Sequence, residues 1–296
     1  MLVDYKEPQR SEILDYLFLP NYGASLQILK VEIGGDSQST DGTESSHMHD
    51  NETVDLHTGY EWWLMQEAKK RNPDIKLYGL PWAFPGWVGN DPETGVPTGS
   101  PFSYPEQTSR YLLEWVKGAK SEYGLDIDYV GVWNERASNA SYTESLRAHL
   151  NDAGFNATKI VAKDGWTDIC DDMKKDPDYV RSAPMCKRFR CRGLMMWYWC
   201  ILQAASVDII GLHYPSDYQD LSTCHSFGKP VWASEESSSY DDLNGAACWA
   251  RVINSHYVLE RITSVFCCCR CCDDSFRTMG SECWSADNAW RYVLLM

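Results

Sequence analysis

The feature that most constrains the fold is an alternation of short β-rich runs with longer amphipathic stretches, beginning near residue 24. Such alternation is typical of βα units and a parallel sheet. Turn residues bound each β-rich run, and the stretches between them carry apolar residues at helical spacing. The predicted strands are 26–36, 75–82, 127–135, 159–166, 207–215 and 229–236, and the predicted helices are 59–71, 105–123, 142–153 and 244–261.

The residues at the ends of these strands distinguish an open doubly wound sheet from a (β/α)8 barrel. Nearly every strand ends in a polar or aromatic residue, among them Asp164, Trp166 and His213. The catalytic side chains of a barrel enzyme come from the C-terminal ends of several different strands. No G-x-G-x-x-G or Walker A sequence follows any strand, so a nucleotide-binding open sheet is not supported. The sequence therefore predicts an α/β fold of the (β/α)8 TIM-barrel type.

Two glutamates at strand ends could carry acid/base chemistry. Glu135 ends the run IDYVGVWNE, and Glu235 lies near the end of KPVWASEE. A glycosidase needs one carboxyl group that protonates the leaving oxygen and a second carboxylate, and Asn134 could hydrogen-bond the sugar 2-hydroxyl. For either glutamate, the competing interpretation is a structural pairing with Arg136 or with a helix N-terminus. A shift of one residue in strand register would point Glu236 inward instead of Glu235.

Five long motifs are IGGDSQSTDGTESSHMH at 33–49, GYEWW at 59–63, GLPWAFPGW at 79–87, DIDYVGVWNER at 126–136 and VWASEE at 231–236. These motifs resemble those of glycoside hydrolase family 59. The similar part covers about residues 2–180 and 206–264. The resemblance implies a retaining β-galactosidase with a TIM barrel, acting on galactosylceramide and related galactolipids without a cofactor or metal. By position, Glu135 matches the proton donor of the family and Glu235 its nucleophile.

The resemblance also implies a set of substrate-binding residues. Trp82 ends a strand beside a Pro-Gly turn, which favours a platform for a sugar ring over a cap on the barrel core. His213 is given no acid/base role, because such a histidine is more often hydrogen-bonded within the core. The residues that match the galactose pocket, or that would lie near the nucleophile, are Thr40, Trp82, Asn134, Ser238, His213 and Tyr214.

Two segments do not fit the barrel pattern. Residues 181–203 mix basic residues with cysteines where a short connection is expected, and the sequence after Ser264 has no strand pattern. We therefore predict a partial barrel domain over 1–265 with an irregular insert at about 181–203, followed by a non-homologous Cys-rich tail at 266–296. The first and eighth barrel strands of the family have no counterpart here, so the resemblance implies an incomplete barrel.

The cysteines raise the question of a metal site. None of the 12 cysteines precedes Cys170, and overlapping C-x-x-C pairs occur in 268–272. Such pairs can hold zinc, but structural zinc sites usually add a second pair at domain spacing or histidines, which this segment lacks. A tail without a metal function is therefore the favoured interpretation.

Charge and composition exclude some partners. The formal net charge is −15, which would repel nucleic acids and anionic lipid surfaces. No apolar run is long enough for a transmembrane segment, and no signal peptide is visible. Acceptor sequons at Asn51, Asn139 and Asn156 hint at a secreted or lumenal glycoprotein. The resemblance implies a lysosomal location, a galactosphingolipid substrate and a lipid-presenting activator of the saposin type.

Two other functions remain open. The family's first and eighth strands, its later domains, and its sugar-binding tyrosine and arginine after the nucleophile strand are not found here. The chain could therefore be a catalytically inactive truncated fragment or a sugar-binding remnant. It could also be another two-carboxylate barrel glycosidase of the glucosylceramidase type.

Overall fold

The structure is a computed structural model that describes residues 2–37, 42–166, 168–175, 184–188, 198–202, 206–215, 220–236, 243–268 and 294–295. The strands are β1 (Ile28–Ile33), β2 (Lys76–Pro81), β3 (Tyr129–Gly131), β4 (Lys159–Gly165), β5 (Pro184–Arg188), β6 (Tyr198–Leu202), β7 (Ile209–His213), β8 (Val231–Glu236), β9 (Ser264–Cys268) and β10 (Leu294–Leu295). The α-helices are α1 (Gln9–Phe18), α2 (Glu61–Arg71), α3 (Pro105–Tyr123), α4 (Ala140–Asp152), α5 (Asp168–Lys175), α6 (Ser222–His225) and α7 (Leu243–Asn254).

The parallel strands curl into a barrel in the order β1, β2, β3, β4, β7, β8, β9. The short strand β10 pairs antiparallel with both β9 and β1 and closes the ring. Strands β5 and β6 form a separate antiparallel pair within the segment expected to be an irregular insert. The predicted α/β barrel is confirmed, and its ring has seven parallel strands where a complete barrel has eight.

Helix α3 illustrates how the sequence sets helix ends and helix packing. Pro105 occupies the first turn, where its missing N–H costs nothing, and Gly124 ends the helix with a left-handed φ of 67°. The buried face of α3 includes Trp115, which packs against β2. A Cβ atom at Gly79 of β2 would lie 2.6 Å from the Trp115 ring, so only glycine allows this close contact.

The barrel interior is filled largely by aromatic side chains. Tyr78 of β2 lies edge-on to Phe266 of β9 at 6.1 Å between ring centroids, and Trp232 of β8 lies 5.3 Å from the same ring. Phe266 belongs to a segment in which no strand was expected, and that expectation is wrong. Val265 packs among the residues outside the barrel while Phe266 points inside, which is the alternation of a strand.

A disulfide fastens the outer helical layer. Cys170 of α5 is bonded to Cys224 of α6, and both side chains are buried. The bond ties together two helices that follow neighbouring strands of the barrel, β4 and β7. None of the helices in the described part of the chain is both long and apolar enough to cross a membrane.

Candidate active site

Glu135 and Glu235 face each other at the carboxyl ends of the strands. Glu235 lies in β8 and its side chain is 5% exposed, whereas that of Glu135 is 34% exposed. One oxygen of each carboxylate and one nitrogen of His213 all lie within 4.8 Å of one another. A gap of this size can hold one bond of a bound substrate between the two carboxylates.

The backbone after β3 turns Glu135 toward the site. The ladder of β3 ends at Gly131, and Asn134 then donates its N–H to the carbonyl of Pro81 at 2.9 Å. Glu135 adopts a φ of 51°, and its N–H donates to the carbonyl of Asp164 at 2.7 Å. A left-handed φ is uncommon in a residue with a side chain, and such strain concentrates at functional sites.

His213 lies between the two glutamates and is fully buried. Its Nδ1 donates to Glu135 Oε1 at 3.0 Å and lies 3.7 Å from Glu235 Oε2, while Nε2 lies 3.6 Å from Asp164 Oδ1. Burial alone would lower the pKa of His213, but the negative charge of Glu235, the nearby Asp164 carboxylate and the hydrogen bond to Glu135 outweigh it and raise the pKa. When protonated, His213 therefore attracts both carboxylates.

The hydrogen bond from His213 also acts on Glu135. It lowers the pKa of Glu135 below the ordinary value for a glutamate, against a smaller opposite effect of burial. Glu135 is therefore held as a carboxylate in the free site. Any function that needs a protonated Glu135 needs an acidic medium or the loss of water from around it.

Tyr214 orients Glu235. Its hydroxyl donates to Glu235 Oε1 at 2.5 Å, and its N–H donates to the Glu235 carbonyl at 2.8 Å. Successive residues of a regular strand point to opposite faces, yet His213 and Tyr214 both reach the glutamates. A shift in register between Leu212 and His213, together with a φ of 49° at Tyr214, brings both side chains to the site.

A buried charge cluster of Lys30, Asp164 and Tyr78 lies in the barrel interior next to His213. Lys30 Nζ donates to Asp164 Oδ1 at 2.9 Å and to the carbonyl of Ser234 at 3.0 Å. The hydroxyl of Tyr78 donates to the other oxygen of Asp164. Burial would raise the pKa of Asp164, but the Lys30 ammonium, the nearby His213 ring and the hydrogen bond from Tyr78 lower it far below its usual range.

Sequence reasoning gave no role to Lys30, Tyr78 or Asp164. The sequence places Asp164 at the end of a strand but does not indicate its partner. Lys30 did offer a signal, because it is the one basic residue inside the apolar run LQILKVEI. A lysine in such a strand points into the barrel and requires a buried counter-ion.

The other predicted residues are placed as follows. Trp82 is 4% exposed, and its ring lies beneath Lys30 Nζ with 5.4 Å between the nitrogen and the ring centroid. The side-chain oxygen of Asn134 is buried and accepts no hydrogen bond from the described residues. Thr40 and Ser238 lie outside the described residues. The sugar-binding roles of all four residues stay predictions.

The alternative that Glu236 replaces Glu235 at the site does not fit the structure. Glu236 Oε1 accepts a hydrogen bond from His256 Nε2 at 2.8 Å, and both side chains are buried. His256 belongs to the π-helical turn Ser255–Leu259, which follows α7 on the outside of the barrel. Glu235 is therefore the residue of β8 that faces Glu135.

The donor set of Glu135, Glu235 and His213 also has the spacing of a divalent-metal site. A histidine binds a metal through a neutral ring nitrogen. The carboxylates around His213 instead raise its pKa and favour the imidazolium. The residues therefore fit an ion-paired cluster better than a metal centre, and the absence of a metal stays a prediction. The C-x-x-C pairs of 268–272 lie almost entirely outside the described residues.

The sequence model of glycosyl hydrolase family 59 matches residues 1–185 and 201–291. This chain belongs to glycosyl hydrolase family 59. It is 48% identical over 264 residues to galactocerebrosidase of Danio rerio and 45% identical over 265 residues to that of Salmo salar. Each match covers 89% of this chain but 35% of the relative, so the family 59 chain spans about a third of the length of these proteins.

A solved structure supports the fold of this family 59 chain. An endo-beta1,6-glucanase is similar at a TM-score of 0.64 with 18% sequence identity. The similarity covers 90% of this chain and 61% of the glucanase. At this identity the likeness concerns the barrel and carries no information on substrate.

Proposed function

We propose that the chain is a retaining glycoside hydrolase that releases galactose from galactosylceramide and related galactolipids. The observation that carries the proposal is the approach of the Glu135 and Glu235 carboxylates to within 4.8 Å. Retaining glycosidases hold their carboxyl groups about 5–5.5 Å apart, whereas inverting enzymes keep about 6.5–9.5 Å to admit a water molecule. The membership in family 59 supports the same reaction.

Glu235 is the proposed nucleophile and Glu135 the proposed acid/base. An oxygen of Glu235 attacks the anomeric carbon while the bond from that carbon to the leaving oxygen breaks, and Glu135 gives its proton to that oxygen. Water then attacks the anomeric carbon, Glu135 takes a proton from the water, and the bond to Glu235 breaks. The hydroxyl of Tyr214 holds Oε1 of Glu235, whereas Oε2 accepts no hydrogen bond from the described residues.

The charges of the site suit work in an acidic compartment. Because His213 lowers the pKa of Glu135, proton donation by Glu135 is favoured by acidic surroundings and by substrate that excludes water from this partly exposed group. The buried disulfide between Cys170 and Cys224 is typical of an oxidising compartment. Both features support the lysosomal location that the family resemblance implies.

The relatives support the proposed substrate, and the proposed partner comes from the family resemblance alone. The relatives at 48% and 45% identity are named galactocerebrosidases, which supports a galactosphingolipid substrate. A saposin-type activator would present the lipid. Comparison of galactoside with glucoside hydrolysis separates this proposal from a glucosylceramidase-type enzyme.

A second candidate is an inactive fragment that retains only sugar binding. It is favoured by one observation, that the ring of described strands has seven parallel members where a complete barrel has eight. Purified chain that unfolds cooperatively and turns over a β-galactoside would exclude this candidate.

Two variants test the proposed roles. Glu235→Gln should abolish galactose release from an aryl β-galactoside. Glu135→Gln should lose most activity on a poor leaving group and retain more on a leaving group that needs no proton. Glu93→Gln changes a glutamate in an exposed loop and serves as the matched control, with unaltered turnover expected. Ordinary turnover by both Glu235→Gln and Glu135→Gln would overturn the proposal.

A further inference from the structure

Trp166 is an exposed aromatic residue at the rim of the candidate site. It directly follows β4, and its side chain is 43% exposed. By contrast, Trp82, the tryptophan predicted to stack on the sugar, is buried. Large aromatic rings tend to be buried, so an accessible indole at the carboxyl end of a barrel strand is a candidate contact for a ligand.

The backbone that carries Trp166 packs against Glu135. The carbonyl of Asp164 accepts the N–H of Glu135 at 2.7 Å. A Cβ atom at Gly165 would lie 3.5 Å from the Cα atom of Glu135. The position of Trp166 is thereby tied to that of Glu135 and not to a distant part of the rim.

The ring of Trp166 also contacts the residue that orients Glu235. Its centroid lies 5.8 Å from that of Tyr214, and the two planes are tilted by 36°. Tyr214 in turn donates its hydroxyl hydrogen bond to Glu235. Trp166 therefore borders the mouth of the site between the two carboxylate-bearing strands.

We infer that Trp166 is a platform for the leaving group of the substrate, and that it favours apolar leaving groups such as the hydrocarbon part of a galactolipid. The inference rests on the proposed function. A general acid protonates the leaving oxygen, so the leaving group extends away from the bond on the side of Glu135. Glu135 is the more exposed carboxylate and Trp166 adjoins it, whereas galactose must reach the buried Glu235.

Loss of the Trp166 ring should slow only the step that breaks the glycosidic bond. The leaving group is present when the glycosidic bond breaks, and it has departed before water attacks the glycosyl-enzyme. Loss of the indole should therefore lower kcat/KM for a substrate with an apolar leaving group, because kcat/KM includes the first bond-breaking step. A leaving group of a single atom is too small to stack on Trp166. The kcat/KM for such a substrate should therefore be unaffected.

The experiment compares octyl β-galactoside with β-galactosyl fluoride on the full chain. Trp166→Ala should lower kcat/KM about tenfold for the octyl substrate and leave the fluoride within about twofold. Trp166→Phe, which keeps a flat apolar ring, should retain most of the activity. Tyr22→Ala removes another exposed aromatic residue, which precedes β1 and so lies away from the carboxyl ends of the strands, and should change hydrolysis of neither substrate. If Trp166→Ala does not fold, Trp166→Gln repeats the comparison.

The outcomes separate this inference from the proposed function. An equal loss on both substrates, or no loss on the octyl substrate, would overturn the role of Trp166 while leaving the hydrolase proposal intact. If the unaltered chain hydrolyses neither substrate, both proposals fail together. Glu235→Gln, measured in parallel, should abolish turnover of both substrates.

Discussion

Replacing Lys30 with methionine tests the buried charge cluster most severely. The Lys30 and Asp164 side chains are both inaccessible to solvent, and Lys30 Nζ lies 2.9 Å from Asp164 Oδ1. Methionine keeps the apolar stem of lysine but leaves Asp164 as a buried carboxylate without its ammonium. Breaking a buried pair from one side typically costs about 3–5 kcal/mol. A domain stability of about 5–15 kcal/mol would therefore fall by a large fraction.

The size of the loss should depend on pH. Asp164 keeps two other partners, the hydroxyl of Tyr78 and the ring of His213. His213 has a raised pKa, so at pH 5 it is an imidazolium that compensates Asp164, and it loses this charge as the pH rises through its folded pKa. The free energy lost by Lys30→Met should therefore lie near the lower end of the range at pH 5 and increase toward pH 8.

Urea unfolding at the two pH values measures this loss. Lys30→Met with Asp164→Asn removes both charges and should be more stable than Lys30→Met alone. Lys76→Met breaks a partly exposed pair with Asp128 and should cost no more than about 1 kcal/mol. A loss for Lys30→Met no larger than that for Lys76→Met would refute the reasoning, as would simple additivity of the two substitutions.

Three further predictions concern the surroundings of the site. Burial would lower the pKa of His256, but its hydrogen bonds to Glu236 and Glu260 raise it. The stability from this contact is full below about pH 6.5 and is lost as the pH rises through the folded pKa, so the deficit of His256→Gln in urea unfolding should shrink at alkaline pH; a constant deficit would contradict this. Tyr214→Phe should lower kcat/KM on an aryl β-galactoside about tenfold through loss of the hydrogen bond to Glu235, and unchanged kinetics would count against the orienting role. Joint replacement of Cys170 and Cys224 by serine should lower the free energy of unfolding by about 2–5 kcal/mol. The Tm of this variant should therefore be lower than that of the unaltered protein, and an equal Tm would contradict the prediction.

The helices and parallel strands were largely predictable because their signals are local. The expected helix at 105–123 coincides with α3, whose ends are marked by proline and glycine. Strand β3 was expected at 127–135 but ends at Gly131, since the apolar pattern continues through residues that have already left the ladder. Strand β9 was missed because the cysteine run beginning at its end obscures the alternation of Val265 and Phe266.

The candidate site was predictable only in part. Glu135 and Glu235 follow from their positions at strand ends, because parallel strands of a barrel converge at one face. The partner of Lys30 lies 134 residues away in sequence, and no local pattern links the two. His213 and Tyr214 both reach the glutamates because of a shift in strand register, and the period-two pattern of a strand does not predict such a shift.

The central claim is that Glu235 forms a covalent bond to the sugar. A 2-deoxy-2-fluoro-galactosyl fluoride slows the release step of a retaining enzyme and should trap the glycosyl-enzyme on the full chain. Peptide mass spectrometry of the trapped protein should find the label on Glu235 and none on Glu235→Gln. A label on Glu135 or Glu236, or turnover of the unaltered chain without any covalent label, would contradict the account.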